Sequence, residues 1–149
     1  MTPNSAPVVL HADDDPNDLL LFKHACGAAS LPFVVESVND GELAVSYLSG
    51  SSNYADRTRY PLPALVLLDL KMPRRTGFEV LDWIRAQPTL KRLPVIVLTS
   101  SKHEADINWT YEHGANSYLV KPVGFDALVQ MAKAIESYWL TINERPSLA

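Results

Sequence analysis

The feature that most constrains the fold is the stretch 64–77, which reads ALVLLDLKMPRRTG. It begins with an apolar run of strand length that ends on a single carboxylate, Asp69, and Pro73 and Gly77 then turn the chain. A continuous apolar run bounded by turn signals is typical of a strand that is buried on both faces. Because ligands bind beyond the carboxyl ends of the strands in a parallel sheet, we expect Asp69 at the functional edge. Our hypothesis is that Asp69 is a nucleophile for a phosphoryl group.

Four other apolar runs of strand length lie at 8–12, 33–38, 94–98 and 116–120. Each of the runs is followed by a segment whose apolar residues recur at helical spacing, the last of them at about 125–140. Strand–helix alternation of this kind predicts a parallel sheet with helices on both faces and right-handed crossovers. The sequence therefore predicts an α/β fold with a doubly wound, five-stranded parallel sheet.

The predicted helices carry recognisable start signals. Asp15 is placed to cap the first helix ahead of a proline. The NDGE segment resembles a capping box with Asn39 as the cap, and residues 76–79, TGFE, form a second capping box. The connection 51–63 is long for a compact domain, and the sequence leaves open whether it is an ornament or a contact surface.

Length and composition limit the classes of function. The chain has 149 residues, 47% of them hydrophobic, and a formal net charge of −4, so we expect one domain and no nucleic-acid partner. The expected core is about 8–140, with a short lead-in, a loose polar tail at 141–149, and too little chain after the last helix for an output domain. The lone Cys26 and the lack of a signal peptide or membrane span favour a cytoplasmic protein.

Reactive side chains collect at the ends of four predicted strands, and they belong to Asp13, Asp14, Asp69, Thr99 and Lys121. Because the carboxyl ends of parallel strands share one edge of the sheet, we expect these side chains to line one pocket. Carboxylates that repel one another favour a cation, and hard oxygen ligands suit Mg²⁺. A hydroxyl and an ammonium nearby complete what phosphoryl transfer to a carboxylate requires.

Each of these residues has an ordinary structural explanation when it is taken alone. An acidic residue after a strand is often a helix cap, a threonine there often bonds to backbone, and Lys-Pro is often turn chemistry. Together, these explanations require that such groups collected at the strand ends by accident. We therefore favour the functional interpretation.

The motifs VLHADDDPND, LVLLDLKMPRRTG, VIVLTSS and SYLVKP resemble the four motifs of response-regulator receiver domains of two-component signalling. The resemblance covers about 8–140. It implies a flavodoxin-like strand order, 2-1-3-4-5, and a signalling protein that is not an enzyme in the usual sense. It also implies that Asp69 accepts a phosphoryl group from a sensor histidine kinase, and that a switched surface then binds a downstream protein partner.

The same resemblance implies roles for single residues. Mg²⁺ would be held by side-chain carboxylates and one backbone carbonyl, which belong to Asp13, Asp14, Asp69 and Lys71. Asp14 would be the more direct ligand of the acidic pair. Thr99 and Tyr118 match the switch residues, although Tyr118 alone would be interpreted as packing. Lys121 matches the lysine that pairs with a phosphoryl oxygen, and a cis peptide to Pro122 is expected.

Two narrower expectations come from this resemblance. Lys71 and Ser101 occupy the positions that tune attack of water on the phosphoryl group, and neither offers an amide or a carboxylate, so self-dephosphorylation should be slow. The long connection 51–63 and the last helix ending in YWL resemble stand-alone regulators of bacterial phytochromes, which often dimerise through helix four, strand five and helix five. The candidate dimer face carries Phe125, Met131, Tyr138 and Trp139, although core packing explains them equally well.

Three other interpretations stay open. An aspartate-nucleophile phosphatase or phosphotransferase needs an acid two residues after the nucleophile, where this chain has Lys71, and places its metal-binding acids later in the sequence. A flavodoxin-like nucleotide binder needs a first loop rich in Gly, Ser and Thr, whereas residues 13–15 are all Asp. A degenerate receiver acting as a scaffold would lack an essential residue, and none is missing.

Overall fold

The centre of the computed structural model, which describes residues 6–148, is a five-stranded parallel sheet. Its strands are β1 (Val8–Ala12), β2 (Val34–Val38), β3 (Leu65–Leu68), β4 (Val95–Thr99) and β5 (Ser117–Val120). The strand order is β2-β1-β3-β4-β5, and all neighbouring strands are parallel. The predicted doubly wound α/β fold and its strand order are confirmed.

The helices alternate with the strands and cover both faces of the sheet. They are α1 (Pro16–Ala28), α2 (Gly41–Ser49), α3 (Gly77–Ala86), α4 (Glu104–Glu112) and α5 (Phe125–Ile135). Phe22 of α1 and Ile135 of α5 share one core layer with Leu67 of β3. Tyr47 of α2 and Leu81 of α3 belong to the layer on the opposite face. The central strands β1, β3 and β4 are buried along their whole length, which explains their uninterrupted apolar sequences.

Two of the predicted helix caps are present. Asp15 accepts a hydrogen bond from the backbone N–H of Asn17 at 2.9 Å. Thr76 and Glu79 form the reciprocal capping box at the start of α3. These local signals therefore place the starts of α1 and α3 correctly.

The predicted cap of α2 was wrong by one residue. Asp40, and not Asn39, is the N-cap, and its carboxylate accepts a hydrogen bond from the N–H of Leu43 at 2.7 Å. Gly41 is consequently the first helical residue, and a Cβ there would clash with the carbonyl of Arg75. The close approach of the β3–α3 loop thus requires glycine at this point of the chain.

The C-terminal segment differs from its prediction. The α-helical part of the last helix ends at Ile135, and a π-helical stretch, Glu136–Ile142, replaces the expected α-helix to 140. The tail is not loose, because Leu148 packs against the core layer of α2 and α3. Residue 149 and most of the lead-in, residues 1–5, lie outside the described residues.

The connection 51–63 is anchored to the domain. Arg57 donates hydrogen bonds to the backbone carbonyls of Tyr47, Leu48 and Tyr60, at 2.7, 2.8 and 3.0 Å. The ring of Tyr54 contacts the rings of Tyr47 and Tyr60. Between residues 6 and 148, we find no helix with the length and apolar character needed to cross a membrane.

Candidate functional site

The strand ends bring the predicted acidic residues together. Ala12 and Leu68 are register partners in β1 and β3, so Asp13 and Asp69 follow side by side. The N–H of Asp69 donates to the carbonyl of Ala12 at 3.0 Å. Carboxylate oxygens of Asp13, Asp14 and Asp69 lie within 4.8 Å of one another, with Asp14 exposed and the other two buried.

Asp69 is held by its own loop. One carboxylate oxygen accepts a hydrogen bond from the N–H of Leu70 at 2.7 Å, and only 6% of the surface of Asp69 is exposed to solvent. The loop then returns, because the N–H of Gly77 donates to the carbonyl of Leu70 at 2.9 Å. A Cβ at position 77 would clash with the carbonyl of Asp69. Gly77 therefore permits the close packing of α3 behind Asp69.

Lys121 is the cation of this cluster. Its Nζ lies 2.7 Å from Asp13, 2.8 Å from Asp18 and 2.8 Å from Asp69. Burial alone would lower the pKa of Lys121, but the contacts with these carboxylates outweigh burial and raise the pKa above its ordinary value. Lys121 therefore carries a charge throughout the neutral range and offsets part of the negative charge of the site.

Asp13 is fully buried, and burial raises the pKa of its carboxyl to about 6. The contact with Lys121 and a hydrogen bond from the N–H of Asp15, at 3.0 Å, act in the opposite direction. The charge of Asp69 adds to the upward shift. An additional cation at this point would stabilise the ionised form of Asp13.

The two predicted switch residues occupy the neighbouring strands. Thr99 ends β4 with 1% of its surface exposed, and its hydroxyl has no hydrogen-bond partner within residues 6–148. The N–H of Lys121 donates to the carbonyl of Thr99 at 2.8 Å. Tyr118 of β5 is half-buried, and its hydroxyl donates to the carbonyl of Ser101 at 3.0 Å. Burial raises the pKa of Tyr118.

One expectation for this site was wrong, because the peptide between Lys121 and Pro122 is trans. Trans is the form that an X–Pro bond favours by about 0.5–1 kcal/mol. The side chain of Lys71 is exposed.

The donor set fits a hard divalent cation. Three carboxylates can each direct one oxygen to a common point. Magnesium favours such oxygen ligands and keeps waters in the remaining positions. The exposed position of Asp14 leaves space for solvent on that side.

Two polar features near the site were missed by the sequence interpretation. Asp18, in the first turn of α1, accepts a hydrogen bond from Nζ of Lys121, which lies 103 residues further along the chain. His11 is 2% exposed in β1, neither ring nitrogen has a hydrogen-bond partner among the described residues, and it lines a cavity of about 150 Å³. The position of His11 within an apolar run that is buried on both faces could have placed it inside, but no local signal connects Asp18 to Lys121.

The candidate dimer residues are divided between surface and core. Phe125 and Tyr138 are exposed. Met131 and Trp139 pack against the core layer that α1 and α5 share. The structure therefore explains Met131 and Trp139 by packing within the domain, and leaves Phe125 and Tyr138 at the surface.

An aspartate flanked by further acids and a half-buried lysine, at the carboxyl edge of a doubly wound sheet, defines the receiver class of signalling domain. The family model of the response regulator receiver domain matches residues 9–133, and the chain therefore belongs to that family. Members of this family are signalling proteins of two-component systems.

The chain is similar over nearly its whole length to known response regulators. Response regulator Rcp1 of Synechocystis sp. is 36% identical over 97% of this chain and 96% of its own length. A Mn²⁺-bound form of Rcp1 matches with a TM-score of 0.83 at 35% identity, covering 95% of this chain and 99% of that one.

Two other solved structures are equally similar. The phosphorylated cyanobacterial phytochrome response regulator RcpA has a TM-score of 0.87 and 37% identity, covering 95% of this chain and 99% of its own. RPA3017, described as acting in red light signaling of R. palustris, has a TM-score of 0.89 and 35% identity with the same coverage. The likeness includes the fold and the sequence.

Proposed function

We propose that this chain is the receiver of a two-component phosphorelay and that Asp69 accepts a phosphoryl group from the phosphohistidine of a sensor kinase. In this step the P–N bond of the donor breaks, a P–O bond to Asp69 forms, and the histidine nitrogen keeps the electron pair and gains a proton. The observation that carries the proposal is the convergence of Asp69 with Asp13, Asp14 and Lys121 in one cluster.

The residues around Asp69 would stabilise the negative charge of the phosphoryl group in two ways, through a bound Mg²⁺ and through Lys121. Asp13, Asp14, Asp69 and the carbonyl of Lys71 would hold Mg²⁺, which supplies positive charge for the phosphoryl oxygens when it is bound. Lys121 would move from the carboxylate of Asp69 to a phosphoryl oxygen, a distance that its flexible side chain can cover. The RcpA and Rcp1 structures support a phosphorylated and a divalent-metal form of this kind of protein.

Movements of Thr99 and Tyr118 would couple phosphorylation of Asp69 to a change at the protein surface. The hydroxyl of Thr99, which lacks a hydrogen-bond partner in the described part of the chain, is available to donate to a phosphoryl oxygen. Tyr118 would then break its hydrogen bond to Ser101 and rotate inward. The output is a protein-binding surface on α4, β5 and α5, used by a downstream partner or by a second copy of this chain.

The likeness to the phytochrome response regulator RcpA and to RPA3017 of red light signaling supports a phytochrome-type kinase as the donor, with the exchange in the cytoplasm. Phosphotransfer from a panel of autophosphorylated sensor kinases tests this. We expect faster transfer from phytochrome kinases than from other classes, and equal rates across the panel would contradict the assignment of the donor.

Self-dephosphorylation should be slow. Lys71 is exposed and supplies no carboxylate to activate water, and the hydroxyl of Ser101 already donates to Asp106 at 2.6 Å. The same Lys71 leaves the chain without the general acid that an aspartate-nucleophile phosphatase needs. A phosphorylated form that decays within seconds, with no other protein present, would contradict this part of the proposal.

The proposal is tested by treating the protein with acetyl phosphate and Mg²⁺ and reading its intact mass. We expect wild type to gain one phosphoryl group that hydroxylamine removes, as for an acyl phosphate, and EDTA to prevent the gain. Asp69→Asn should gain none, whereas Asp126→Asn, a matched change of an exposed acid in the first turn of α5, should react like wild type. Equal labelling of Asp69→Asn and wild type would refute the proposal.

A further inference from the structure

We propose that Asp18 is a positioning residue, which holds the ammonium of Lys121 to one side so that a divalent cation can bind Asp13 and Asp69. The inference rests on the proposed function, since it explains how the same site admits its cation. It assigns a role to an acid that the motifs of the sequence did not single out.

The starting point is how Lys121 distributes its hydrogen bonds. Its Nζ donates to Asp18 and to Asp69, both at 2.8 Å. It also lies 2.7 Å from Oδ2 of Asp13. Nevertheless, that oxygen accepts no hydrogen bond of acceptable geometry from any described residue. The lysine therefore neutralises Asp13 by proximity, while its directional bonds go to the other two acids.

The ammonium and a divalent cation compete for the same carboxylates. Both would lie against Asp13 and Asp69, and two cations at that separation repel each other strongly in a buried site. Lys121 must nevertheless stay close, because it is needed at the phosphoryl oxygen. The cation can enter only if the ammonium has another carboxylate to which it can move.

Asp18 is suited to receive that ammonium. It lies outside the group of acids whose oxygens converge, which comprises Asp13, Asp14 and Asp69. Its side chain is 34% exposed, against 0% for Asp13, so its charge is partly solvated when Lys121 moves. Asp18 can therefore hold the lysine without becoming a ligand of the metal.

Local structure fixes both ends of this contact. Asp18 lies in the first turn of α1, and Asp15 already caps that helix, so the carboxylate of Asp18 is free to face Lys121. On the other side, the N–H of Lys121 is bound by the carbonyl of Thr99 at 2.8 Å. The contact thus joins two backbone segments that are held independently of it.

The test is a double-mutant cycle on Mn²⁺ affinity, measured by electron paramagnetic resonance of free Mn²⁺ without any phosphoryl donor. We expect Asp18→Asn to raise the Kd about fivefold, a typical size for coupling between neighbouring sites. Lys121→Met should lower the Kd, because the competing cation is removed. In the Lys121→Met background, Asp18→Asn should change the Kd by less than about twofold, as expected for a screened charge alone.

Two further variants separate positioning from charge. Asp15→Asn removes an equal charge from the same turn and keeps the cap, since Asn caps as well as Asp, so the Kd should stay within about twofold. Asp18→Glu keeps the carboxylate and should restore most of the affinity. Thermal unfolding of each variant confirms that the fold is intact.

Each outcome decides between the claims. If Asp18→Asn weakens Mn²⁺ binding equally with and without Lys121, Asp18 acts by charge alone and the positioning role is wrong. The same conclusion follows if Asp18→Asn and Asp15→Asn are indistinguishable. If wild type binds Mn²⁺ but is not phosphorylated on Asp69, the proposed function fails and the positioning of Lys121 still stands. If wild type binds no Mn²⁺, both are wrong.

Discussion

Replacing His11 with leucine should make the protein more stable, and increasingly so in acid. His11 is 2% exposed, and neither ring nitrogen has a hydrogen-bond partner within the described chain. Unpaired buried polar atoms cost roughly 1–3 kcal/mol. The substitution also loses the edge contact of the imidazole with Phe22, which contributes about 0.5–1.5 kcal/mol. We expect His11→Leu to gain about 1 kcal/mol at pH 7.5 from the difference between these terms.

The acid dependence follows from the pKa of the imidazole. Burial, with a further contribution from the charge of Lys121, lowers the pKa of His11 from 6.5 to about 3, while the charge of Asp69 opposes this and that of Lys23 adds to it. A depressed pKa means that the unfolded chain binds the proton first, so stability present above pH 6.5 is lost as the pH falls toward 3. Each pH unit in that window costs about 1.4 kcal/mol, and wild type should lose about 2 kcal/mol between pH 6.5 and 5 through this group.

The assay is urea unfolding at pH 7.5 and pH 5 in buffer with EDTA, so that no divalent cation changes the field at His11. The advantage of His11→Leu over wild type should grow by about 2 kcal/mol between the two conditions. His24→Gln, which removes an exposed imidazole from α1, controls for the loss of a histidine as such. An advantage that is the same at both pH values would refute the buried, neutral state of His11.

Three further outcomes are expected. Tyr47, which is buried and donates to the carbonyl of Pro61, has a pKa raised by burial to about 12. In urea unfolding between pH 10 and 12, wild type should therefore lose about 2 kcal/mol more stability than Tyr47→Phe. In urea unfolding, Asp40→Ala should cost about 1 kcal/mol and Asn39→Ala much less, because only Asp40 caps α2. Thr99→Val should be at least as stable as wild type, because the hydroxyl has no partner within residues 6–148, while the change in tryptophan fluorescence on adding beryllofluoride should shrink.

The sequence predicts this fold well where the determining signals are local. Apolar runs placed every strand, and the capping pattern at Thr76 placed the start of α3. The strand ends also predicted which acids would meet, because register in a parallel sheet puts Asp13 beside Asp69 once β1 and β3 are neighbours. These features can be predicted from the spacing of apolar residues along the chain and from the parallel direction of the strands.

Features that depend on contacts between distant loops were not predictable in the same way. The Asn39-Asp40 pair offers two equally good caps by composition, and the structure has Asp40 as the cap, directly before Gly41, which packs against the carbonyl of Arg75. The tail looked loose because it is polar, yet its single leucine, Leu148, finds an apolar surface at the opposite end of the sheet from Asp69. In both cases the contact involves residues that are far apart in sequence.

The contact between Asp18 and Lys121 depends both on the strand topology, which can be predicted, and on the packing of the last helix, which cannot. With strand order 2-1-3-4-5, right-handed crossovers put α1 on one face of the sheet and α2, α3 and α4 on the other, because only the first connection runs in the opposite direction. No described strand follows α5, so handedness assigns it no face. It lies beside α1 because Ile135 completes the core layer that contains Phe22. Asp18 and Lys121 therefore meet on the face of the sheet where α1 and α5 pack together, and no local sequence signal connects these two residues.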